Sequence, residues 1–381
     1  MSTPEREIAT ALEQAREVAR LYADAEQVLL QRIAARVADD VDQADDDPIA
    51  WQARRLAQIG QLRREAERII KRLEGAAKAR KSVVGAWTAG MDQAIITAIR
   101  DVNDAKVRQR LERTLRDARR LGSSQLINPG QGVNELARQV VAKLDVVELS
   151  ALRVVEDIYR QVIAETAGRV LVGAQTRRQA AQEALDRLVA RGITGFTDSG
   201  TPPRTWSLES YVAMATRTAT ARAAVDGHLA TLRDAGIDLV IVSTTPYSCS
   251  VCDPWEGKVL TQSGTAGQRQ AMNVLTNEPI TVTVAATVAQ ARLGGLLHPN
   301  CRHSLSAYLP GVTRPAPKPA VAADYGDTQE VRRLQRQARQ WERRAAAAID
   351  PDAKRKANAK VREYRGRARQ LAKDKGLRLP R

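Results

Sequence analysis

Aromatic residues are scarce in this sequence of 381 residues: they make up 3% of it, and Phe196 is the only phenylalanine. Alanine, valine and leucine must therefore do most of the packing. Small aliphatic residues combined with many Arg, Glu and Gln favour long amphipathic helices over a β-sandwich. The composition predicts a mainly α protein.

Long hydrophobic runs are also lacking. No stretch of about 18 uncharged apolar residues occurs, so we expect no membrane span. The first five residues have no charged start followed by an apolar run, which excludes a secretory signal there. Cysteine is rare, and its odd number of three argues against a secreted disulfide scaffold. These features favour a reducing cytoplasm or a particle assembled there.

Acidic residues are outnumbered. The chain has 44 Asp and Glu against 60 Lys and Arg, which gives a formal net charge of +16. Residues 324–381 alone contain 18 Lys and Arg against 8 Asp and Glu, so +10 of that charge lies in about the last sixth of the chain. Such a charge favours polyanionic partners, nucleic acids above all.

Apolar residues recur every three or four positions through the first half of the chain, which predicts helices over residues 4–38, 49–79 and 83–121 and one or two further helices over 133–190. The acidic run from Asp39 to Asp47 is expected to be a solvated turn. A Mg²⁺ or Ca²⁺ site is the alternative, although the run lacks the Gly and the distal Glu of an EF-hand loop.

The composition changes at the Gly- and Pro-containing loop 192–203, where we place a domain boundary. A helix is expected over 207–235, strands at 239–243 and 280–284, and a short helix at 285–293. The predicted organisation is a long helical bundle or arm (1–191), a small α+β domain (192–310), a Pro/Ala linker (311–323) and a basic helical tail (324–381).

All three cysteines lie in two short motifs. Cys249-Ser250-Val251-Cys252 is a C-x₂-C pair, and His298-Pro299-Asn300-Cys301 is an H-x₂-C pair. Together they supply four soft or borderline ligands, the closed set that zinc prefers in structural sites. We therefore predict a structural zinc site at Cys249, Cys252, His298 and Cys301. The long connection between the pairs shows that this is not a standard zinc finger.

Other interpretations of these residues stay open. The cysteines could form a reduced core with a hydrogen-bonded histidine, or two of them could form a disulfide beside one free thiol. His303 could replace His298 as the ligand, support the site from outside it or contact phosphate. His228 is expected to be an ordinary surface or packing histidine.

Few features point to catalysis. Asp253 and Glu256 lie near the first motif, but four protein ligands leave no open metal position. Signature motifs of serine hydrolases, metalloproteases and nucleotide-binding enzymes are absent. His298, Asn300 and His303 match the spacing of a ββα-metal nuclease poorly. We predict no catalytic residues, and a zinc-dependent nuclease or processing enzyme stays the alternative.

The basic tail offers candidate phosphate contacts. The predicted residues are Arg332, Arg333, Arg336, Arg343, Arg344, Lys354, Arg355, Lys356, Arg365, Arg367 and Arg369. The alternative is a solvated helix whose charges form ion pairs three or four residues apart. A plain nucleic-acid-binding protein of a cellular host would share this pattern.

Four segments in this order resemble the phage minor capsid protein 2 family, relatives of the Mu F-like head morphogenesis proteins. They are Trp206 to Tyr211 with Arg217-Thr218, Ala235 to Asp238, Cys249 to Lys258, and Gly294 to Leu305. The tail, with Leu334, Arg343-Arg344 and residues 365–369, is similar to that family's basic C-terminal extension. The resemblance covers about residues 190–381.

The resemblance implies a virion protein of tailed bacteriophages, attached near the portal inside the head after assembly in the host cytoplasm. It implies roles in head assembly and in DNA packaging or delivery. The implied partners are the portal protein and packaged double-stranded DNA, with the major capsid or scaffold protein as further candidates.

Overall fold

The computed structural model describes residues 3–43, 47–125, 132–197, 205–299, 301–318, 320 and 323–377. Helices account for 68% of the structure and strands for 8%, which confirms the mainly α prediction. No helix among these residues is both long enough and apolar enough to span a membrane.

Within the described residues there are eleven α-helices. They are α1 (Thr3–Asp42), α2 (Pro48–Ala57), α3 (Ile59–Lys71), α4 (Gly75–Ile99), α5 (Ala105–Gln125), α6 (Val133–Leu171), α7 (Arg177–Val189), α8 (Leu208–Asp234), α9 (Val288–Leu293), α10 (Tyr325–Ala346) and α11 (Pro351–Asp374).

The described residues also form eight short strands. They are β1 (Thr194–Thr197), β2 (Thr205–Ser207), β3 (Leu239–Val242), β4 (Val259–Thr261), β5 (Gly267–Met272), β6 (Pro279–Val284), β7 (Ala286–Thr287) and β8 (Leu305–Ala307). Strand β1 pairs with β2, β5 pairs with β6, and a four-stranded sheet has the order β7-β4-β3-β8.

The chain divides into two compact units, each made of three separate segments. Unit 1 comprises Met1–Glu17, Ala77–Val141 and Met214–Tyr325, and unit 2 comprises Val18–Ala76, Ala142–Ala213 and Gly326–Arg381. The consecutive domains predicted from the sequence stay a prediction, since local patterns carry no information about which distant segments pack together.

In unit 1 the four-stranded sheet packs on helices α4, α5 and α8. Buried Val240, Val242 and Leu260 of the sheet share one apolar core with Leu115 and Leu232. Helices α4 and α8 approach closely: a Cβ atom added to Gly90 would lie 2.0 Å from the carbonyl oxygen of Ala224. This contact requires glycine, because any side chain there would meet backbone.

In unit 2 an acidic side chain is buried where a solvated turn was expected. Asp40 is 1% exposed, and its carboxylate accepts a hydrogen bond from the Tyr159 hydroxyl at 2.5 Å and pairs with Arg55 at 3.4 Å. Its backbone oxygen accepts from the indole of buried Trp51 at 2.9 Å. The prediction was wrong at Asp40 because α1 continues to Asp42; residues 44–46 lie outside the described part.

The second and third predicted helices are each broken. Asp47 caps α2 by accepting from the Ile49 amide at 2.9 Å. Pro48 occupies the first helical position, where proline is favoured. The backbone leaves helical geometry at Gln58, and again after Lys71. Asp104 accepts from the Val107 amide at 2.8 Å and so starts α5. The apolar period continues through these breaks, so it does not reveal them.

Candidate metal centre and basic helices

Sheet pairing explains why two distant cysteine motifs meet. Strands β3 and β8 are adjacent and antiparallel, with Val242 opposite Leu305. The first motif follows the end of β3, and the second precedes the start of β8. An antiparallel pair places these two ends at the same edge of the sheet, so both motifs emerge there.

The first motif is a tight turn. The amides of Cys252 and Asp253 donate to the Cys249 carbonyl at 3.0 and 2.9 Å, and a 3₁₀ turn follows over Asp253–Trp255. Cys252 is fully buried in the core of unit 1, and Cys249 and Cys301 pack against it from the partly exposed side. The turn thereby sets the two thiols of the first motif side by side.

The second motif follows α9, which ends at Leu293 with Gly294 as its C-cap. Gly295 and Leu297 both have positive φ, 95° and 61°, which turns the chain back towards the sheet. The Cys301 amide donates to the His298 carbonyl at 2.9 Å. Asn300 lies outside the described residues.

The donor atoms of both motifs lie together. Cys249 Sγ is 3.2 Å from His298 Nε2, Cys252 Sγ is 3.6 Å from Cys301 Sγ, and Cys301 Sγ is 3.3 Å from His303 Nδ1. The structure thus brings together the four predicted ligands and the alternative His303. All three cysteines are free thiols.

A buried carboxylate adjoins the cluster. Glu256 Oε1 accepts from His303 Nε2 at 2.8 Å and from the Thr245 amide at 2.8 Å, while Oε2 lies 3.2 Å from Lys318 Nζ. Burial raises the pKa of Glu256, but these hydrogen bonds outweigh it and hold the pKa at about 2. Glu256 is therefore an ionised anchor between His303 and Lys318.

The cluster changes the acidity of its thiols in opposite directions. Burial raises the pKa of Cys301, but hydrogen bonds from the side chain and the amide of His303 outweigh it and lower the pKa to about 7. Burial, reinforced by Cys301, raises the pKa of Cys252 well above its usual range. A lowered pKa makes Cys301 the readier thiolate, the form that binds metals.

His228 is a packing histidine, which is one of the two alternatives expected from the sequence. It is 4% exposed on α8, and burial lowers its pKa to about 4.

The predicted basic residues all lie on α10 and α11. Most are exposed and several form ion pairs, such as Arg333 with Glu330 at 2.7 Å and Arg365 with Glu342 at 2.7 Å. Arg344 stacks 4.4 Å from the centre of the Trp341 ring and donates to the Asp186 carbonyl.

Arg343 does not fit the predicted role. Its side chain is 12% exposed, and it contacts Glu26 and Glu209 at 3.4 Å and the Ser207 hydroxyl at 2.9 Å. A guanidinium enclosed in this way is a structural ion-pair partner within unit 2, so we remove it from the candidate phosphate contacts.

The structure adds two residues that the sequence reasoning missed. The spacing 355, 362, 365, 369 and 373 places five basic residues within about 80° on one face of α11, using 100° per residue. We call this the basic stripe: Arg355, Arg362, Arg365, Arg369 and Lys373. All five are exposed. The spacing of three, four and seven residues could have identified Arg362 and Lys373.

The chain matches the family model described as phage minor capsid protein 2 over residues 10–373. It is 28% identical over 228 residues to a protein named "Structural protein" from Lactococcus phage LL-H, an alignment that spans 57% of this chain and 58% of the relative. No solved structure matches. Because the family model covers nearly the whole chain, including both cysteine motifs and the basic helices, the protein belongs to the phage minor capsid protein 2 family.

Proposed function

We propose that this protein is a structural component of the head of a tailed bacteriophage, bound to the portal on the inside, where it aids head morphogenesis and DNA packaging or delivery. The observation that carries the proposal is the family match over residues 10–373. The relative named as a phage structural protein supports it. The portal as partner rests on what the family resemblance implies.

The geometry near the cysteines supports a structural role over the enzymatic alternative. Glu256 is the carboxylate that contacts His303 of the cluster, and its side chain is 7% exposed. Its oxygens accept from His303, Thr245 and Lys318. A general base needs a carboxylate that can reach a substrate proton, and Glu256 is fully engaged in holding protein segments together.

The basic stripe supports contact with packaged DNA. Among the described residues, no acidic side chain lies within ion-pair distance of Arg362 or Arg369, which are both exposed. The stripe extends over 18 residues, about 27 Å of helix. Lys and Arg neutralise phosphates without reading base sequence, which suits a protein that meets whatever DNA is packaged.

Analysis of purified particles tests the location. We expect cross-linking and mass spectrometry of DNA-filled particles to find this protein joined to the portal, and protease to digest it only after the heads are opened. Absence from purified particles, or digestion in intact particles, would contradict the proposal.

A pair of double variants tests the DNA contact. Arg362→Ala/Arg369→Ala removes two charges from the basic stripe. Lys356→Ala/Arg367→Ala removes two charges from another side of α11. Each lost phosphate contact reduces the steepness of log K against log salt by about 0.9. For duplex DNA binding we therefore expect this slope to become shallower by about 1.8 in the stripe variant. Equal losses in the two variants would show that the stripe has no special role.

A further inference from the structure

The cluster of three cysteines and two histidines takes no part in the proposed contacts with portal or DNA. The liganding atoms of Cys249, Cys252 and His298 all lie within 4.8 Å of one another, and so do those of Cys252, Cys301 and His303. Cys252 belongs to both groups, so the five side chains form one continuous set of donors.

The hydrogen bonds around His298 prepare it as a ligand. Its Nδ1 lies 2.8 Å from the carbonyl oxygen of Pro299, and a carbonyl can only accept, so Nδ1 carries the hydrogen. The lone pair of Nε2 is then free, and Nε2 lies 3.2 Å from Cys249 Sγ. Metal-binding histidines commonly use a carbonyl in this way to fix the ring.

His303 is placed differently. Its Nε2 contacts the Glu256 carboxylate at 2.8 Å, and its Nδ1 and its own amide both approach Cys301 Sγ, at 3.3 and 3.4 Å. The ring is 3% exposed at its side chain, between one carboxylate and one sulfur. The amide of His303 donates to Cys301 Sγ and the ring lies against the same sulfur, so His303 fixes the position of Cys301.

We propose that the protein binds one zinc ion through the sulfurs of Cys249, Cys252 and Cys301 and through His298 Nε2, and that His303, held by Glu256, is the residue that positions Cys301. Three sulfurs and one imidazole form the donor set that zinc accepts with four protein ligands and no open position. The ion therefore has a structural role.

The metal joins segments that are distant in sequence. Cys249 and Cys252 follow β3, whereas His298 and Cys301 precede β8. Pro317 and Lys318 join the connection, because Glu256 contacts Lys318 and the Pro317 carbonyl accepts from Thr244 at 3.4 Å. Zinc binding thereby fastens one edge of the sheet, and with it the middle of the Pro/Ala segment, to the core of unit 1.

Metal analysis of the full-length protein, purified without chelator, is the first test. We expect one zinc per chain, and a content near zero overturns the proposal. Iron with inorganic sulfide in place of zinc would also overturn it, since the same residue types can hold an iron–sulfur cluster.

Two histidine variants test the ligand assignment. We expect His298→Ala to lower zinc affinity more than 100-fold in competition with a colorimetric chelator. We expect His303→Ala to retain one zinc per chain with an affinity about 10- to 100-fold lower, the range for residues that orient a ligand. The reverse order of effects would make His303 the ligand and contradict the assignment.

A spectroscopic readout separates metal binding from folding. Cobalt added to the metal-free protein should give thiolate-to-cobalt charge-transfer absorption and strong tetrahedral bands in wild type and in His303→Ala. The matched control is Asp253→Asn, an exposed carboxylate beside the first motif that contacts Lys318; it should leave affinity and spectrum within twofold of wild type. Weak octahedral bands in wild type would exclude the proposed site.

Discussion

The Cys/His region of unit 1 and the C-terminal helices of unit 2 hold their structures by opposite means. Around the cysteines, a few side chains at one sheet edge determine the geometry, and each has several partners. Along α10 and α11, many weak contacts together stabilise the helices, and most charged residues are exposed. The first region should lose its geometry when one proposed metal ligand is changed, and the second should tolerate many changes. Arg343 is the exception that tests this contrast.

Replacing Arg343 with Ala should have the largest effect on stability within the C-terminal helices. Glu26 is 2% exposed and accepts hydrogen bonds from the Ile193 amide at 2.7 Å and from Arg343. Removing Arg343 leaves a buried carboxylate without its charged partner, which typically costs 3–5 kcal/mol. We expect the free energy of unfolding to fall by about that amount in urea titrations.

The matched control is Arg333→Ala on the same helix. Arg333 pairs with Glu330 at the surface, where both side chains are more than 40% exposed. Surface pairs contribute about 0–1 kcal/mol, so this variant should lose less than about 1 kcal/mol. Equal losses at the two positions would show that the enclosure of Arg343 has no energetic consequence.

Two glycines on α4 provide a second contrast, now inside unit 1. A Cβ at Gly90 would lie 2.0 Å from the Ala224 carbonyl oxygen, whereas a Cβ at Gly85 would meet nothing within 4 Å. Gly90→Ala should destabilise the protein by about 1–3 kcal/mol through overpacking. Gly85→Ala should stabilise it by about 0.5–1 kcal/mol, the helix preference of Ala over Gly. Thermal unfolding of both variants checks the opposite signs.

His228 gives a smaller, pH-dependent effect. Burial lowers its pKa from 6.5 to about 4 in the folded protein. Between these pH values the unfolded chain binds a proton at His228 that the folded protein does not. The free energy of unfolding is therefore highest above pH 6.5 with respect to this group, and it decreases as the pH falls towards 4. The loss is at most about 1.4 kcal/mol per pH unit.

His228→Leu removes this titration while keeping an apolar side chain in the core. We plot the free energy of unfolding in urea against pH for wild type and variant at pH 7.5, 6.0 and 5.0. The two plots should converge or cross as the pH falls, because only wild type loses the His228 contribution. Parallel curves would show that His228 does not control the difference.

The contrast between the regions also explains what the sequence could predict. Spacing alone identified both cysteine motifs, and the strands expected at 239–243 and 280–284 appear as β3 and β6. Strand β5, Gly267–Met272, was missed because its Gln and Arg residues carry no apolar alternation. It forms because β6 offers a partner, and such long-range pairing is invisible to local patterns.

The same limit applies to the site. No sequence rule connects Glu256 with His303, since their contact depends on the pairing of β3 with β8. The burial of Arg343 depends on Glu26, which lies 317 positions earlier in the chain. Composition predicted the helical class and the basic tail correctly, because these properties add up residue by residue.

Hydrogen exchange of the full-length protein before and after zinc removal tests the account most directly. We predict that amides of residues 239–260 and 296–309 lose protection when the metal is removed, while those of α10 and α11 do not change. Restored protection on adding zinc would complete the result. Unchanged exchange around the cysteines, or an equal loss in both regions, would contradict the claim that a zinc ion fastens this sheet edge.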